Sequence, residues 1–408
     1  MLLVLHKGSY AQSLQQSVQT ALENNESLKA QKVLMDNSYQ NLLIQSGKLL
    51  PNLSLNSTGM RSANLNTGQE TDSYSISLNS SYMLFDSGSL NAKKRSAQRL
   101  NDAAKASFKK FENELIMSVA KVHLQLFNSI KIVELYENSL KVRKQQFMAV
   151  KNRFDLGEAT RSDLLRSKAS ISGAEAQLKI GQGNVKKFRE DYKNLVGKAS
   201  ENPKLPQTII KEPSLLEDSV KVALGNDLGL KVLLLEEQAL REELSATEKS
   251  RLPNLSLSGT LSYGDSLTAG SDASSGRISL TSNLTLYSGG QKMAQVKIAS
   301  NNLSAKAIDI AVRKKFLKRN VTTKWLDLMA LRSSAIAKQE EANALKELYE
   351  SVFEEWQLGG KTSLDTDQAY QNFLNSEVDL ITTSTDILIA KFDLLAEIGT
   401  LTTELQLR

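Results

Sequence analysis

The sequence predicts a membrane-embedded fold of mixed α and β class, built by using one helix–β-hairpin–long helix–helix unit twice. Three observations predict it: a whole-chain duplication, strands that alternate apolar with uncharged polar residues, and helices several times the ordinary length. The duplication runs at a constant offset of 202 residues through the 408-residue chain. Leu-Pro-Asn-Leu-Ser-Leu at Leu50–Leu55 recurs unchanged at Leu252–Leu257. The same offset carries Ser17-Val18 onto Ser219-Val220, Gly88 onto Gly290, Leu156-Gly157 onto Leu358-Gly359, Asp163 onto Asp365 and Gly197 onto Gly399. A solenoid repeat runs ~20–50 residues, so this is a duplicated half-protein: 1–200, a linker at 201–214, and 215–408.

Each half opens with a helix, expected over about 11–48 and 215–250. Val18, Leu22, Leu28, Val33, Leu42 and Leu43 supply its apolar positions, and Pro51 ends it, because the residue before proline is pushed out of the α region. The period then changes from 3.6 to 2. Strands are expected at about 52–64 and 73–86, and again at about 254–265 and 276–288. One face carries Ile76, Leu78, Tyr82 and Leu84, against Ser75, Ser77, Asn79 and Ser81 on the other. The second copy sets Ile278, Leu280, Leu284 and Leu286 against Ser279, Thr281, Asn283 and Thr285. Alternation sustained this long is a strand signal. The connections Asn64–Asp72 and Asp265–Ser275 are rich in turn formers.

Nothing breaks a helix over about 89–156 or 291–358, each ~100 Å at 1.5 Å per residue. From Leu100 to Val133 the apolar positions step 4, 4, 3, an 11-residue repeat that favours a straight or slightly right-handed course. Val133, Leu140, Phe147 and Phe154 are then seven apart, which implies a left-handed coiled coil. Tight turns at Leu156-Gly157-Glu158 and Gly359-Gly360 lead into the last helices, about 160–197 and 362–398.

Composition narrows the function. The net charge of +6 is modest, and Lys and Arg alternate with Glu along helices, so the charges read as solvated faces and not a nucleic-acid patch. No cysteine is present, which excludes disulfides and thiolate metal sites. The two histidines, His6 and His123, are far apart, and Gly181-Gln182-Gly183 lacks a phosphate-loop context. No cofactor and no enzyme chemistry are expected. Met1–Leu5 is apolar but lacks the basic start and full core of a signal peptide; by itself it is not one, and the residues leave open the tail of one that begins upstream.

A strand face of apolar residues opposite a charge-free Ser/Thr/Asn face suits a membrane β-barrel, with Tyr82, Phe85, Tyr263 and Tyr287 as interfacial aromatics. Four strands cannot close, and open edges cannot sit in lipid. Chains must pool strands: two would give eight, three would give twelve, and the residues leave both open. A soluble, elongated coiled-coil scaffold or adhesin with small β caps is the alternative.

With its duplication, the two Leu-Pro-Asn-Leu-Ser-Leu segments, Leu84-Phe85-Asp86-Ser87-Gly88, Leu286-Tyr287-Ser288-Gly289-Gly290 and the two helix-tip turns, the chain resembles the TolC-like outer-membrane efflux and export channels. The resemblance spans essentially the whole sequence. It implies a homotrimer whose twelve-stranded barrel sits in outer-membrane lipid above a helical tunnel through the periplasm. It also implies a periplasmic adaptor, and an inner-membrane pump or ABC exporter, as partners in drug, small-molecule or protein export. Ile76, Leu78, Leu84, Ile278, Leu280 and Leu284 would then face lipid. The tips Leu156, Gly157, Leu358 and Gly359 would dock the adaptor. Asp163 matches the acidic member of the family's gate lock; Lys361 stands where an arginine is common, and Trp356 where a tyrosine is. Lysine lacks arginine's bidentate fork. Asp365 matches an acidic entrance ring, and a second ring of the family falls here on Gln368.

Overall fold

The computed structural model of the chain describes residues 13–200, 202–205, 215–266 and 271–405. The apolar start at Met1–Leu5, His6 and most of the inter-repeat linker lie outside them. The described residues fall into two compact units, each drawing on both sequence repeats. One comprises Met1–Lys29, Lys109–Asp227 and Lys315–Arg408; the other comprises Ala30–Phe108 and Leu228–Lys314.

The helix expected over 11–48 is two helices, α1 (Leu14–Asn24) and α2 (Glu26–Gly47). Asn25 takes an extended backbone while its N–H still bonds Ala21 O, and its side-chain oxygen accepts from Leu28 N at 3.0 Å. One residue therefore stops α1 and caps α2, using side-chain chemistry that Asn supplies without a proline or glycine. Two strands follow, β1 (Asn52–Ala63) and β2 (Glu70–Phe85), then α3 (Ser89–Asp155) and α4 (Arg161–Val196). The helix expected over 215–250 breaks in the same register, at Asp227, into α5 (Leu216–Asn226) and α6 (Leu228–Lys249). Next come β3 (Asn254–Ser266), β4 (Ser271–Asn283), α7 (Gln291–Gln357), α8 (Ser363–Glu397) and the short α9 (Leu401–Glu404).

The first unit packs around Leu14, Val18, Leu124, Tyr192, Phe392 and Leu395, all with no accessible surface. His123, fully buried there, is a core histidine. One ring nitrogen lies 3.0 Å from Ser17 Oγ and the other 2.8 Å from Lys204 O, and Tyr192 donates to the same Ser17 hydroxyl at 2.7 Å. Burial pushes the His123 pKa down, against the Lys204 carbonyl, which pushes it up.

The second unit carries one antiparallel sheet of order β1-β2-β3-β4, so the two hairpins are joined by the β2–β3 ladder. Its rows follow the apolar alternation: Leu55, Leu78, Leu261 and Gly276 stand in one line across all four strands. Leu53, Leu55, Ile76, Leu78, Leu261, Ile278 and Leu280 are all exposed, a continuous apolar face of the kind that marks a membrane or partner surface.

One strand expectation needs correction. The fourth strand begins five residues earlier than expected and stops at Asn283, so Leu284, Leu286 and Tyr287 lie beyond it and Leu284 is not a strand residue. Asn283 pairs with Asn254, and the residue before Asn254 is Pro253, which has no N–H with which to extend the ladder. Leu84 lies within β2, but at a register irregularity between Met83 and Phe85.

Candidate functional site

The two helix tips, both in the first unit, share a backbone. α3 ends at Asp155, Gly157 turns the chain at φ 82°, and its N–H bonds Phe154 O at 3.0 Å. α7 ends at Gln357, Gly359 turns at φ 85°, and its N–H bonds Trp356 O at 3.1 Å. A side chain at either glycine would find open space, so the left-handed φ, and not crowding, requires glycine. Leu156 and Leu358 project from these turns, 75% and 88% exposed.

Both following helices open with a capping box. Thr160 N donates to Asp163 Oδ2 at 3.1 Å while Asp163 N donates to Thr160 Oγ1 at 3.2 Å. Thr362 and Asp365 repeat this at 3.0 and 3.3 Å. The Thr-x-x-Asp spacing of both copies is the sequence form of such a helix start. Thr160 and Ser363 hydroxyls hold the Asp163 carboxyl below its ordinary pKa, and the Thr362 backbone and side chain do the same for Asp365.

Polar ties connect the α3–α4 pair to the α7–α8 pair. Asp163 Oδ1 accepts from Ser363 Oγ at 2.7 Å, joining α4 to α8. Arg153, in the last turn of α3, donates to Trp356 O at 3.1 Å and Gln357 O at 2.7 Å, and its guanidinium carbon lies 4.6 Å from the Trp356 ring centre. Arg153 thus caps the carbonyl end of α7, where a cation is favoured. Trp356 is buried against Phe353.

Further up, Arg143 of α3 is nearly inaccessible. It donates to Gln371 Oε1 at 2.8 Å and to Asp367 Oδ1 at 3.4 Å, bonds Ser170 Oγ, and stacks 5.2 Å from the Tyr370 ring centre. Ser170 Oγ also donates to Asp367 Oδ1 at 3.4 Å, so three helices meet on one carboxylate. Burial raises the Asp367 pKa, against the lowering effect of Arg143.

Of the residues expected from sequence, Asp163, Trp356, Leu156, Gly157, Leu358 and Gly359 gather at the tips. Within one chain Asp163 is held by Thr160 and Ser363, while the nearest acid to Lys361 is Glu355, at 3.9 Å. Asp365 bonds only Thr362 among the described residues. Sequence reading missed Arg143, Arg153 and Ser363, and placed Asp367 one residue out of phase with the ring position held by Gln368. Arg143 carries a signal: it lies three residues after Leu140, at a core position of the seven-residue repeat where a charge needs a buried partner. No group of three or more His, Asp or Glu able to hold a metal occurs among the described residues.

The outer membrane efflux protein family model matches residues 17–198 and again 220–400. The chain is 25% identical over 337 residues to the outer membrane efflux protein BepC of Brucella suis, covering 82% of this chain and 73% of that one. It is 20% identical over 407 residues to the outer membrane protein TolC of Vibrio cholerae, covering 97% and 93%. Its fold matches the crystal structure of the outer membrane protein VceC of Vibrio cholerae with a TM-score of 0.80 at 18% identity, over 95% of this chain and 96% of that one. Two successive matches span nearly all of both halves: the chain belongs to the outer membrane efflux protein family and is an efflux channel of the outer membrane.

Proposed function

We propose that three copies of this chain pool their sheets into a twelve-stranded barrel and form the passive exit duct of a tripartite efflux or export system. The observation that carries this reading is the single sheet with an exposed apolar face and two unpaired edges, β1 and β4. Open edges are untenable in lipid and vanish when β4 of one copy pairs with β1 of the next. The two repeats, 1–200 and 215–408, then serve as six near-equivalent staves, with 201–214 linking each pair.

The tips form the periplasmic gate. Arg153 on Trp356 and Asp163 on Ser363 hold the two helix pairs of one chain together, and Lys361, exposed and only loosely paired with Glu355, reaches for an acid on the neighbouring chain. Asp365 lines the entrance as one acidic ring that favours cations. Leu156, Gly157, Leu358 and Gly359 receive a periplasmic adaptor, which recruits an inner-membrane pump and opens the gate. The duct itself carries out no reaction. The test is oligomer mass in detergent together with conductance in planar bilayers. A trimer with small, cation-preferring steps is expected; a water-soluble monomer without conductance overturns the proposal.

A further inference from the structure

The net charge of the chain is concentrated at one height, the end of the sheet from which the helices leave. Three strands run through long uncharged stretches: twelve residues between Lys48 and Arg61 for β1, thirteen between Asp72 and Asp86 for β2, and thirteen between Arg251 and Asp265 for β3. β4 carries Arg277, which stands in the polar row with Asn79 and Thr260. Thirteen residues rise ~43 Å along a strand and ~30 Å along the membrane normal at a 45° tilt, the thickness of the hydrocarbon core. The first charges beyond each stretch therefore fall where hydrocarbon gives way to headgroups. At the hairpin end they are mostly acidic, Glu70, Asp72, Asp265 and Asp272 against Arg61.

At the helix end they are basic. Lys48 follows α2, and Lys93, Lys94 and Arg95 fall in the first two turns of α3. Lys249 and Arg251 close α6, and Lys292 and Lys297 fall in the first two turns of α7. Against these eight bases, the same two turns and their connections to the strands hold three acids, Asp86, Glu243 and Glu248. The belt thus has a net +5 of the chain's +6. The next two turns of the four helices are net negative: Asp36, Asp102 and three glutamates of α6 outnumber Arg99 and Arg241. Seven residues of helix make the positive layer ~10 Å deep, about one Debye length at 0.1 M salt and close to the depth of a headgroup layer.

Little within the chain uses this charge. The Asp86 carboxylate accepts from Gly88 N at 3.0 Å and from Leu90 N, and so caps α3. Arg95 pairs with Glu242 at 2.8 Å, and Lys292 Nζ donates to Ser250 O at 3.2 Å. Among the described residues, Lys48, Lys93, Lys94, Lys249, Arg251 and Lys297 make no ion pair. Apolar surface continues right up to them, since Leu50, Leu252, Leu286 and Tyr287 are exposed.

We propose that this belt binds anionic phospholipid of the periplasmic leaflet, the phosphates accepting from Lys48, Arg251 and the lysines of α3 while the acyl chains lie against the uncharged strands. A cluster of bases directly beside a membrane-spanning segment attracts anionic lipid, and the attraction fades within a Debye length, the depth of this layer. The inference rests on the sheet lying in the outer membrane. It goes beyond the duct reading, because it concerns no lumen or gate residue.

The test reconstitutes the whole protein in vesicles of equal parts phosphatidylglycerol and phosphatidylcholine, and measures lipid retained after detergent extraction by native mass spectrometry. The native protein is expected to retain phosphatidylglycerol about tenfold better at about 0.1 M salt, and to lose that preference at about 1 M, where the Debye length falls to ~3 Å. Lys48→Gln with Arg251→Gln should reduce the preference about threefold, and adding Lys93→Gln and Lys94→Gln should abolish it. Lys179→Gln with Lys186→Gln removes the charge of two lysines from α4, in the other unit, and should leave the preference intact. Equal retention of both lipids by the native protein overturns the proposal, and would mean that acids of neighbouring copies neutralise the belt. So does a preference that survives 1 M salt, one undiminished in the fourfold variant, or one lost equally in the α4 variant. Bilayer conductance of the same preparations reads the duct independently, so a conducting protein without the lipid preference defeats this proposal alone.

Discussion

The two tips have nearly the same backbone and different side-chain duties. Each turns at a glycine with φ above 80° and restarts its helix with a Thr-x-x-Asp box. Yet Asp163 spends its second oxygen on Ser363, while Asp365 bonds only Thr362 among the described residues. At the position equivalent to Arg153, which grips the far tip, the second copy has Glu355, which pairs with Lys361. Higher up the exchange is complete. The first copy has Arg143 on its long helix and Leu165 on its short one; the second has Leu345 and Asp367 at the matching positions. Duplication supplied two copies of one turn, and divergence divided an ion pair between them. Backbone repetition builds the staves, and side-chain divergence binds unlike staves together.

The largest effect should come from breaking the divided pair. Asp367→Ala leaves Arg143 buried without its carboxylate, and a loss of about 3 kcal/mol is expected in denaturant unfolding. Arg143→Leu with Asp367→Leu, which gives both tips the apolar pattern, should restore most of that stability while raising conductance, because the tie is gone and no charge is stranded. If the double variant is as unstable as Asp367→Ala, the pair is not the element that distinguishes the tips.

Arg153→Lys comes next. The charge is kept but the fork that bonds two α7 carbonyls is lost, and hydrogen exchange at Trp356–Leu358 should rise by about tenfold, a loss of about 1.4 kcal/mol. Asp163→Ala and Asp365→Ala then separate cap from tie. Each should loosen its helix start, because the N3 half of the capping box is lost. Only Asp163→Ala, and Ser363→Ala with it, should also raise conductance, whereas Asp365→Ala should chiefly reduce cation preference. Equal conductance in all three would erase the difference drawn here.

Acid should act on both tips together. Asp163 and Asp365 have carboxyls held below their ordinary pKa, so the stability they contribute is full above the usual Asp value of ~3.9 and is lost as pH falls through the lowered values. The exchange protection of the first turns of α4 and α8, taken relative to the intrinsic rate at each pH, should therefore hold down to about pH 4 and fall below it. The smallest effect is expected from Lys361→Ala. An exposed pair is worth about 0–1 kcal/mol, so only the assembled channel's conductance should respond.

Much of this was legible in the sequence because period and length are local signals. The run without helix breakers between Gly88 and Gly157 gives α3 its limits to within a residue, and the alternation of Ile76 and Leu78 with Ser77 and Asn79 gives β2 its faces. The break at Asn25 was hidden because no proline or glycine marks it and a side chain replaces a backbone bond; the break at Asp227, which has Gly225 and Gly229 on either side, carried a signal that the helical reading passed over. The end of β4 was hidden because it is set by a residue of the partner strand, Pro253. In the site, the acids and glycines of the tips could be read, but Ser363 and Arg153 could not, since exposed serine and arginine acquire meaning only from the helix they meet. Arg143 was half legible, a charge in a core seam whose partner lies 224 residues away.

The β2–β3 ladder has a further consequence for how the chain is made. Each hairpin closes over a few residues and can form as soon as it is synthesised. The seam between them pairs Ser73 with Ser266, so it waits until more than half of the polypeptide exists. Pairing at such sequence distance is slow, because the entropy of closing the loop is lost before any bond repays it. Until then the first hairpin presents the open edge of β2, a strand built to bond on both sides. The chain therefore passes through a stage in which its most aggregation-prone edge is bare, and its biogenesis depends on whatever keeps that edge occupied until the second half arrives.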